Sequence, residues 1–152
     1  MTAYFLDSSA LVKRYVQEVG SSWVQAITSE RAGNEIIVAR ITWVEVLSAF
    51  ARLQREGNLP ADDITTVIRA YQDDFDTQYQ VVEFDRSVSL LAGALVQRHP
   101  LRAYDSVQLA SALMLNPVFS QFPNASFRFV TADQRLLTIA QAEGLPVEDP
   151  NQ

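Results

Sequence analysis

Four acidic residues that are far apart along the chain are candidates for one metal-binding cluster. They are Asp7, Glu45, Asp105 and Asp133. Carboxylate oxygens are the ligands that hard divalent cations such as Mg²⁺ prefer in proteins. A cation held in this way can activate a water molecule and stabilise the charge that develops at a phosphoryl centre. If the fold brings these side chains together, we expect metal-assisted chemistry on a phosphate ester.

The predicted strands place two of these acids at one edge of a sheet. The apolar run at residues 4–6 ends at Asp7, and only two residues separate the run at 127–130 from Asp133. In open parallel sheets, ligands bind beyond the carboxyl ends of the strands, near the point where the strand order reverses. Glu45 and Asp105 lie at or just inside the first turns of predicted helices, from which they can point to the same edge.

Strand and helix patterns alternate along the whole chain. Further strands are predicted at residues 35–39, 80–84 and 145–148. Helices are predicted after Asp7, at 42–57, from 60 to about 77, at 87–98, after Asp105 and at 133–143. Residues 116–126, which contain two prolines, are predicted to form the longest loop. This alternation predicts an α/β fold with a central parallel sheet of four to five strands and helices on both faces.

The composition limits the possible chemistry. A chain of 152 residues with 48% hydrophobic residues is large enough for one ordinary core, so we expect a single domain. It has no cysteine, and His99 is the only histidine, which excludes thiolate zinc sites, disulfides and a two-histidine nuclease. The net charge of −6 argues against a broad basic surface that coats nucleic acid.

The N-terminal segment and the hydropathy pattern predict a cytoplasmic protein that does not enter a membrane. The first residues lack the basic segment and long apolar run of a signal peptide. No apolar stretch approaches the roughly 20 residues that are needed to cross a bilayer.

Helix capping is an alternative explanation for each acid taken singly. Asp7 can be the N-cap of a helix after the first strand, and segments 42–45 and 131–134 fit the capping-box pattern. Asp105 with Gln108 resembles such a box as well. The spacing therefore leaves capping and metal binding open. If the acids converge without a cation, at least one carboxyl should have a raised pKa because like charges disfavour joint ionisation.

The segments around the four acids resemble the motifs of PIN-domain proteins. Residues 5–13 resemble the opening strand of that family, which ends in an acidic residue followed by hydroxyl residues. Residues 40–47 are similar to the motif in which a helix presents Glu, and residues 101–110 and 129–137 resemble the third and fourth motifs. The motifs occur in the expected order over almost the entire chain. In chain length and in the residues of its motifs, this chain is most similar to the VapC-type toxins of bacterial and archaeal toxin–antitoxin pairs.

This resemblance implies a PIN domain at residues 1–149, a short C-terminal tail at 150–152, and an endoribonuclease that depends on Mg²⁺ or Mn²⁺. Asp7 and Asp105 would be direct metal ligands, and Glu45 and Asp133 would complete the catalytic site directly or through water. The hydroxyls of Ser9 and Thr131 would orient Asp7 and Asp133, although we favour helix capping as the single role of Thr131. The resemblance further implies an RNA substrate, a cognate antitoxin and a homodimer.

Two other functions stay open at the level of the sequence. One is a PIN-like binding module that keeps the acidic pocket without catalysis. The other is a metal-dependent phosphatase with an aspartate nucleophile, but haloacid-dehalogenase-like enzymes have Asp-x-Asp where this chain has Asp7-Ser8-Ser9.

Several other residues near the motifs have structural explanations that we favour. The cations Lys13, Arg14, Arg40 and Arg102 are candidates for gripping phosphates or acidic partner groups, but such residues are commonly just exposed. His99 suits packing or the C-terminal end of a helix. The aromatic residues near helical spacing, which we expect to be buried in the core or an interface, are Trp43, Phe50, Tyr71, Phe75 and Tyr79.

Overall fold

Five strands and seven α-helices make up the chain, and the computed structural model describes all residues from Met1 to Gln152. The strands are β1 (Thr2–Leu6), β2 (Glu35–Ala39), β3 (Gln80–Val82), β4 (Ser126–Val130) and β5 (Val147–Glu148). The helices are α1 (Ser8–Tyr15), α2 (Ser21–Thr28), α3 (Thr42–Arg55), α4 (Ala61–Thr77), α5 (Arg86–Arg98), α6 (Ala103–Phe119) and α7 (Gln134–Ala142). A 3-10 helix at Glu30–Ala32 precedes β2.

The strands form one sheet in the order β3-β2-β1-β4-β5, and every neighbouring pair is parallel. The chain builds outward from β1 in one direction through β2 and β3, and in the other direction through β4 and β5. The strand order therefore reverses between β1 and β4. This architecture confirms the prediction of an α/β fold with a parallel sheet of four to five strands.

The two faces of the sheet carry separate hydrophobic clusters. Ala3 and Phe5 of β1 belong to the cluster that α5, α6 and α7 cover, whereas Leu6 belongs to the cluster that α1, α2, α3 and α4 cover. Successive side chains of a strand point to opposite faces, so a strand between two helical layers must be apolar on both. As a result α1 and α7, which follow the adjacent strands β1 and β4, pack on opposite faces of the sheet.

The predicted aromatic residues lie in or against the core, between α3, α4 and the start of β3. Tyr71 is fully buried, and its ring stacks on that of Trp43 with the centroids 5.0 Å apart. The Tyr71 hydroxyl donates a hydrogen bond of 3.0 Å to the carbonyl oxygen of Thr42. This bond anchors the first turn of α3, which carries Glu45. The prediction of burial for this aromatic set is confirmed.

Two details of the predicted elements were wrong. Helix α2 was not predicted, since it is short and no side-chain cap marks its start, which follows Gly20 in the left-handed region at φ 89°. Helix α6 starts before Asp105 and continues through Pro117 to Phe119, so the loop predicted at 116–126 is only residues 120–125. The ring of Phe119 stacks on Phe127 of β4 at 5.6 Å, and this contact holds the last turn of α6 despite the proline. None of the helices combines the length and apolar character that crossing a bilayer requires.

The packing of α3 against the sheet gives a stability prediction. Phe50 on α3 is fully buried, and replacing it by Ala should lower the free energy of unfolding by about 3–5 kcal/mol because the change leaves a cavity. Val44 on the same helix is 58% exposed, so Val44→Ala should change that free energy by less than about 1 kcal/mol. Urea denaturation followed by circular dichroism measures both values. A loss of similar size in the two variants would contradict the assigned orientation of α3.

Candidate active site

Asp7 and Asp133 lie at the carboxyl edge of the sheet, where the strand order reverses. Asp7 directly follows β1 and is the N-cap of α1, where its side chain accepts a 3.0 Å hydrogen bond from the backbone N–H of Ala10. Asp133 follows β4 and caps α7 in the same way, with a 3.1 Å bond from the N–H of Leu136. Capping is therefore real for both residues, and it holds both carboxylates at the edge where ligands bind in such sheets.

Asp7 is buried and has no cationic partner. Its side chain is 3% exposed and accepts hydrogen bonds from the hydroxyls of Ser9 at 2.7 Å and Thr131 at 2.6 Å, in addition to the capping bond. Burial raises the pKa of Asp7 to about 7, and the charge of Glu45 adds to the rise, while the hydrogen bonds oppose it. A raised pKa was predicted from repulsion between acids, but burial is the larger cause here.

The hydroxyls of Ser9 and Thr131 connect the turn after β1 with the turn after β4. Besides donating to Asp7, the Thr131 oxygen accepts a 3.1 Å bond from the N–H of Asp133. The Ser9 oxygen accepts a 3.0 Å bond from the N–H of Ala132. The cap of α7 is Asp133 itself, so the hydroxyl of Thr131 is available to Asp7. The two hydroxyls thus fix the orientation of Asp7 relative to the backbone that carries Asp133.

Glu45 is half-buried in the first turn of α3, where α6 supports it. The side-chain nitrogen of Gln108 donates to Glu45 Oε1 at 2.7 Å and to Thr42 Oγ1 at 2.8 Å. Burial raises the pKa of Glu45, and the charge of Asp105 raises it further, whereas the bond from Gln108 lowers it. Gln108 was not predicted as a site residue. The sequence indicated Gln108 only as a capping-box partner of Asp105, but α6 has Arg102 as its N-cap and the Gln108 side chain is buried against α3.

Asp105 and Asp133 share the guanidinium of Arg102. Arg102 Nε lies 3.1 Å from Asp105 Oδ2, and its NH2 group lies 3.7 Å from Asp133 Oδ2. The hydrogen bond to Asp105 is the main cause of a raised Arg102 pKa, and the charges of Asp133 and Glu45 contribute. Asp105 lies inside the first turn of α6, whose N-cap is Arg102. Arg102 is thus a counter-cation for Asp105 and Asp133. Together with Asp7 and Glu45, these two acids form what we call the acidic edge.

The comparisons with known proteins identify the family. A family model described as PIN domain matches residues 4–142. The chain belongs to the PIN-domain family. This match confirms the resemblance that the four motif segments predicted.

One curated relative and two solved structures illustrate what this PIN domain is similar to. Ribonuclease VapC45 of Mycobacterium tuberculosis (strain CDC 1551 / Oshkosh) is 31% identical over 147 residues, which are 97% of this chain and 95% of the relative. The crystal structure of FitAcB from Neisseria gonorrhoeae has a TM-score of 0.67 at 14% identity, covering 97% of both chains. The toxin-antitoxin complex from Klebsiella pneumoniae has a TM-score of 0.62 at 16% identity, also covering 97% of both chains. At these low identities, the likeness to the two structures concerns the fold alone.

The donor set of this PIN domain fits a hard divalent cation in its chemistry. All four candidate ligands are carboxylates, and the buried Asp7 has no positive charge to balance it. In this conformation, however, no three acidic side chains stand close enough together to hold an ion. An ion at this edge therefore has to displace Arg102 from Asp105 and Asp133, or to bind partly through water molecules.

The other charged residues near the motifs, apart from Arg102, form contacts away from the four candidate metal ligands. Lys13 is buried and donates to Glu18 and to the carbonyl oxygen of Val19. Arg40 pairs with Glu83. Arg14 contacts Gln78, Tyr79 and Asp74. His99 is the C-cap of α5, and its Nε2 lies 2.6 Å from Glu143 Oε1. Of the four cations near the motifs, Arg102 alone contacts the acidic edge of the PIN domain.

Burial of Asp7 makes the stability of the metal-free PIN domain depend on pH. The folded-state pKa of about 7 lies above the ordinary value of 3.8, so only the unfolded chain loses the proton between these values. The free energy of unfolding should therefore fall as the pH rises from about 4 to about 7, by up to roughly 4 kcal/mol. Asp7→Asn removes this loss and keeps the hydrogen bonds, because the Thr131 hydroxyl can accept from the amide.

The measurement is urea denaturation in EDTA across this pH range. The free energy of unfolding of Asp7→Asn should exceed that of the wild type by little near pH 4 and by most above pH 7. Asp73→Asn, at an exposed position on α4, is the matched control and should give a pH profile parallel to that of the wild type. An advantage of Asp7→Asn that does not change with pH would contradict the assigned state of Asp7.

Proposed function

We propose that this PIN domain is a Mg²⁺- or Mn²⁺-dependent endoribonuclease, and that it is the toxin of a toxin–antitoxin pair. The similarity to a protein named Ribonuclease VapC45 over nearly the full length of both chains supports the activity. The observation that carries the proposal is the buried Asp7 carboxylate. It lies without a counter-cation at the reversal of strand order, beside a second strand-end acid.

The reaction follows from the roles of the chain's own side chains. A divalent ion bound at this edge would lower the pKa of a water molecule and offset charge on the phosphoryl oxygens. Asp7 is held in one orientation by Ser9 and Thr131, which limits the reorganisation needed on binding an ion. Gln108 aims the carboxylate of Glu45, which can accept a proton from an attacking water or hold the ion. No covalent enzyme intermediate is needed.

The proposed partners are an RNA substrate, a cognate antitoxin and a second copy of the chain, all in the cytoplasm. The similarity to Ribonuclease VapC45 and the fold shared with the toxin-antitoxin complex support the proposal of an antitoxin. Leu90 on α5 and Phe84 just before it are large apolar residues that are mostly exposed, and burial between two copies would remove them from water.

Loss of single carboxylates tests the activity. Asp7→Asn and Asp105→Asn should each reduce metal-dependent RNA cleavage by more than about 100-fold, since replacing even a group behind a metal ligand typically costs about 10–100-fold. EDTA should stop the wild-type enzyme. A gel assay on structured RNAs measures the rate, with Asp73→Asn as a control that should cleave normally. Cleavage by the two site variants at the wild-type rate would refute the nuclease proposal. Absence of divalent-ion binding in calorimetry would favour a non-catalytic binding module.

Arg102 should compete with the metal ion for Asp105 and Asp133. Arg102→Gln should therefore bind Mn²⁺ about 5-fold more tightly, since an exposed ion pair is worth up to about 1 kcal/mol. Isothermal titration calorimetry measures this affinity independently of cleavage. Arg98→Gln is the matched control, because Arg98 forms its ion pair with Glu143. Unchanged or weaker Mn²⁺ binding by Arg102→Gln would show that the guanidinium does not oppose the ion.

A further inference from the structure

A groove of about 530 Å³ opens from the acidic edge and runs between α1, α3 and the start of α6. Ser9 and Glu45, which belong to the candidate active site, form part of its wall. Tyr104 lines it as well and directly precedes Asp105 in the sequence. The groove is therefore continuous with the place where a phosphodiester would be cut.

From this groove we infer a subsite for single-stranded RNA, in which the Tyr104 ring stacks on a base next to the scissile phosphate and Arg52 binds the phosphate of a neighbouring nucleotide. This inference rests on the proposed function, because it takes the acidic edge as the site of cleavage. The base that Tyr104 contacts must be unpaired. A base that is paired and stacked inside a duplex cannot offer its face to a protein side chain.

Tyr104 has the exposure and the freedom that a stacking platform needs. It is 60% exposed, and neither its ring nor its hydroxyl contacts another aromatic ring or a hydrogen-bond partner in the protein. Val44, 58% exposed, lies in the same groove and offers a second apolar surface. Stacking of a base on an aromatic side chain is worth about 1–3 kcal/mol and tolerates any base.

Arg52 lies at the far end of the groove wall formed by α3. It is seven residues beyond Glu45, which is about two helical turns, so both side chains lie on one face about 10 Å apart along the axis. Arg52 is exposed and forms no ion pair within the protein. Between them, Ser48 and Ala49 are small and keep the groove open. In a chain of net charge −6, a polyanion must be bound by such local cations.

The position of this groove favours a nucleic acid over a peptide. One end carries carboxylates that would hold a metal ion beside a phosphate, and the other end carries an unpaired guanidinium, which binds phosphate with a forked geometry. The aromatic ring of Tyr104 lines the same groove. Each of the three features matches one part of a nucleotide strand, namely the reacting phosphate, a base and the next phosphate.

The test is fluorescence anisotropy with a short fluorescein-labelled single-stranded RNA in EDTA, so that binding is measured without cleavage. Tyr104→Ala should weaken binding about 10-fold, within the range for loss of one stacked base, and Tyr104→Phe should restore it. Arg52→Gln should weaken binding. It should also make the negative slope of log K against log salt concentration shallower by about 0.7, as expected for one lost phosphate contact on a single strand. A purely structural role would not change the salt slope.

Matched variants separate the groove from general surface effects. Phe122 is 59% exposed but lies outside the groove, so Phe122→Ala should bind the RNA like the wild type. Arg55 is exposed in the same last turn of α3 as Arg52, and Arg55→Gln should keep the wild-type salt slope.

Wild-type RNA binding by both Tyr104→Ala and Arg52→Gln would overturn the subsite. If the same two variants also lost binding to an antitoxin, the groove would be a protein-docking surface. If Tyr104→Ala and Arg52→Gln weaken binding as expected but the wild type cleaves no RNA in Mg²⁺ or Mn²⁺, the subsite stands and the nuclease proposal fails.

Discussion

The buried carboxylate of Asp7 is the constraint on which the rest of the site depends. A charge that is removed from water is costly unless it is paired, and Asp7 has hydrogen bonds but no cation. The fold compensates in part through the hydroxyls of Ser9 and Thr131 and the first turn of α1. These bonds limit the rise in pKa without abolishing it. The result is a rigid, electron-rich position that gains most from an added positive charge, which is the property that a divalent-cation site requires.

The topology explains why this position is open to a ligand at all. Strands β1 and β4 are neighbours, yet the helices that follow them pack on opposite faces of the sheet. In open sheets of this topology, the two helices diverge and ligands bind in the crevice between their starts. Asp7 and Asp133 are the N-caps of these two helices. Capping and ligand binding reinforce each other here, because a helix N-terminus favours a carboxylate through its dipole. The same bonds that stop the chain from fraying after each strand hold the acids at the crevice.

The sequence predicted most of this arrangement, because strand ends and helix starts have strong local signals. The positions of Asp7 and Asp133 followed from two apolar runs and the parallel order they imply. Other contributions depend on contacts between distant elements, which no local pattern encodes. Gln108 supports Glu45 across the interface of α6 and α3, and its polar side chain gave no sign of that partner. Likewise the reach of α6 beyond Pro117 depends on the stacking of Phe119 on β4, which overrides the usual effect of proline.

On the proposed function, a protein of negative net charge has to bind a polyanion. The net charge of −6 would repel RNA at long range, and screening at physiological salt limits that repulsion to about 8 Å. Within this distance the local groups decide. Without a metal ion, Arg102 bridges Asp105 and Asp133 and neutralises part of the acidic edge. A divalent ion that took over this role would free the guanidinium, which is 79% exposed and flexible enough to turn toward a phosphate. On the proposed function, loading of the metal and recruitment of the substrate phosphate are therefore coupled through one arginine.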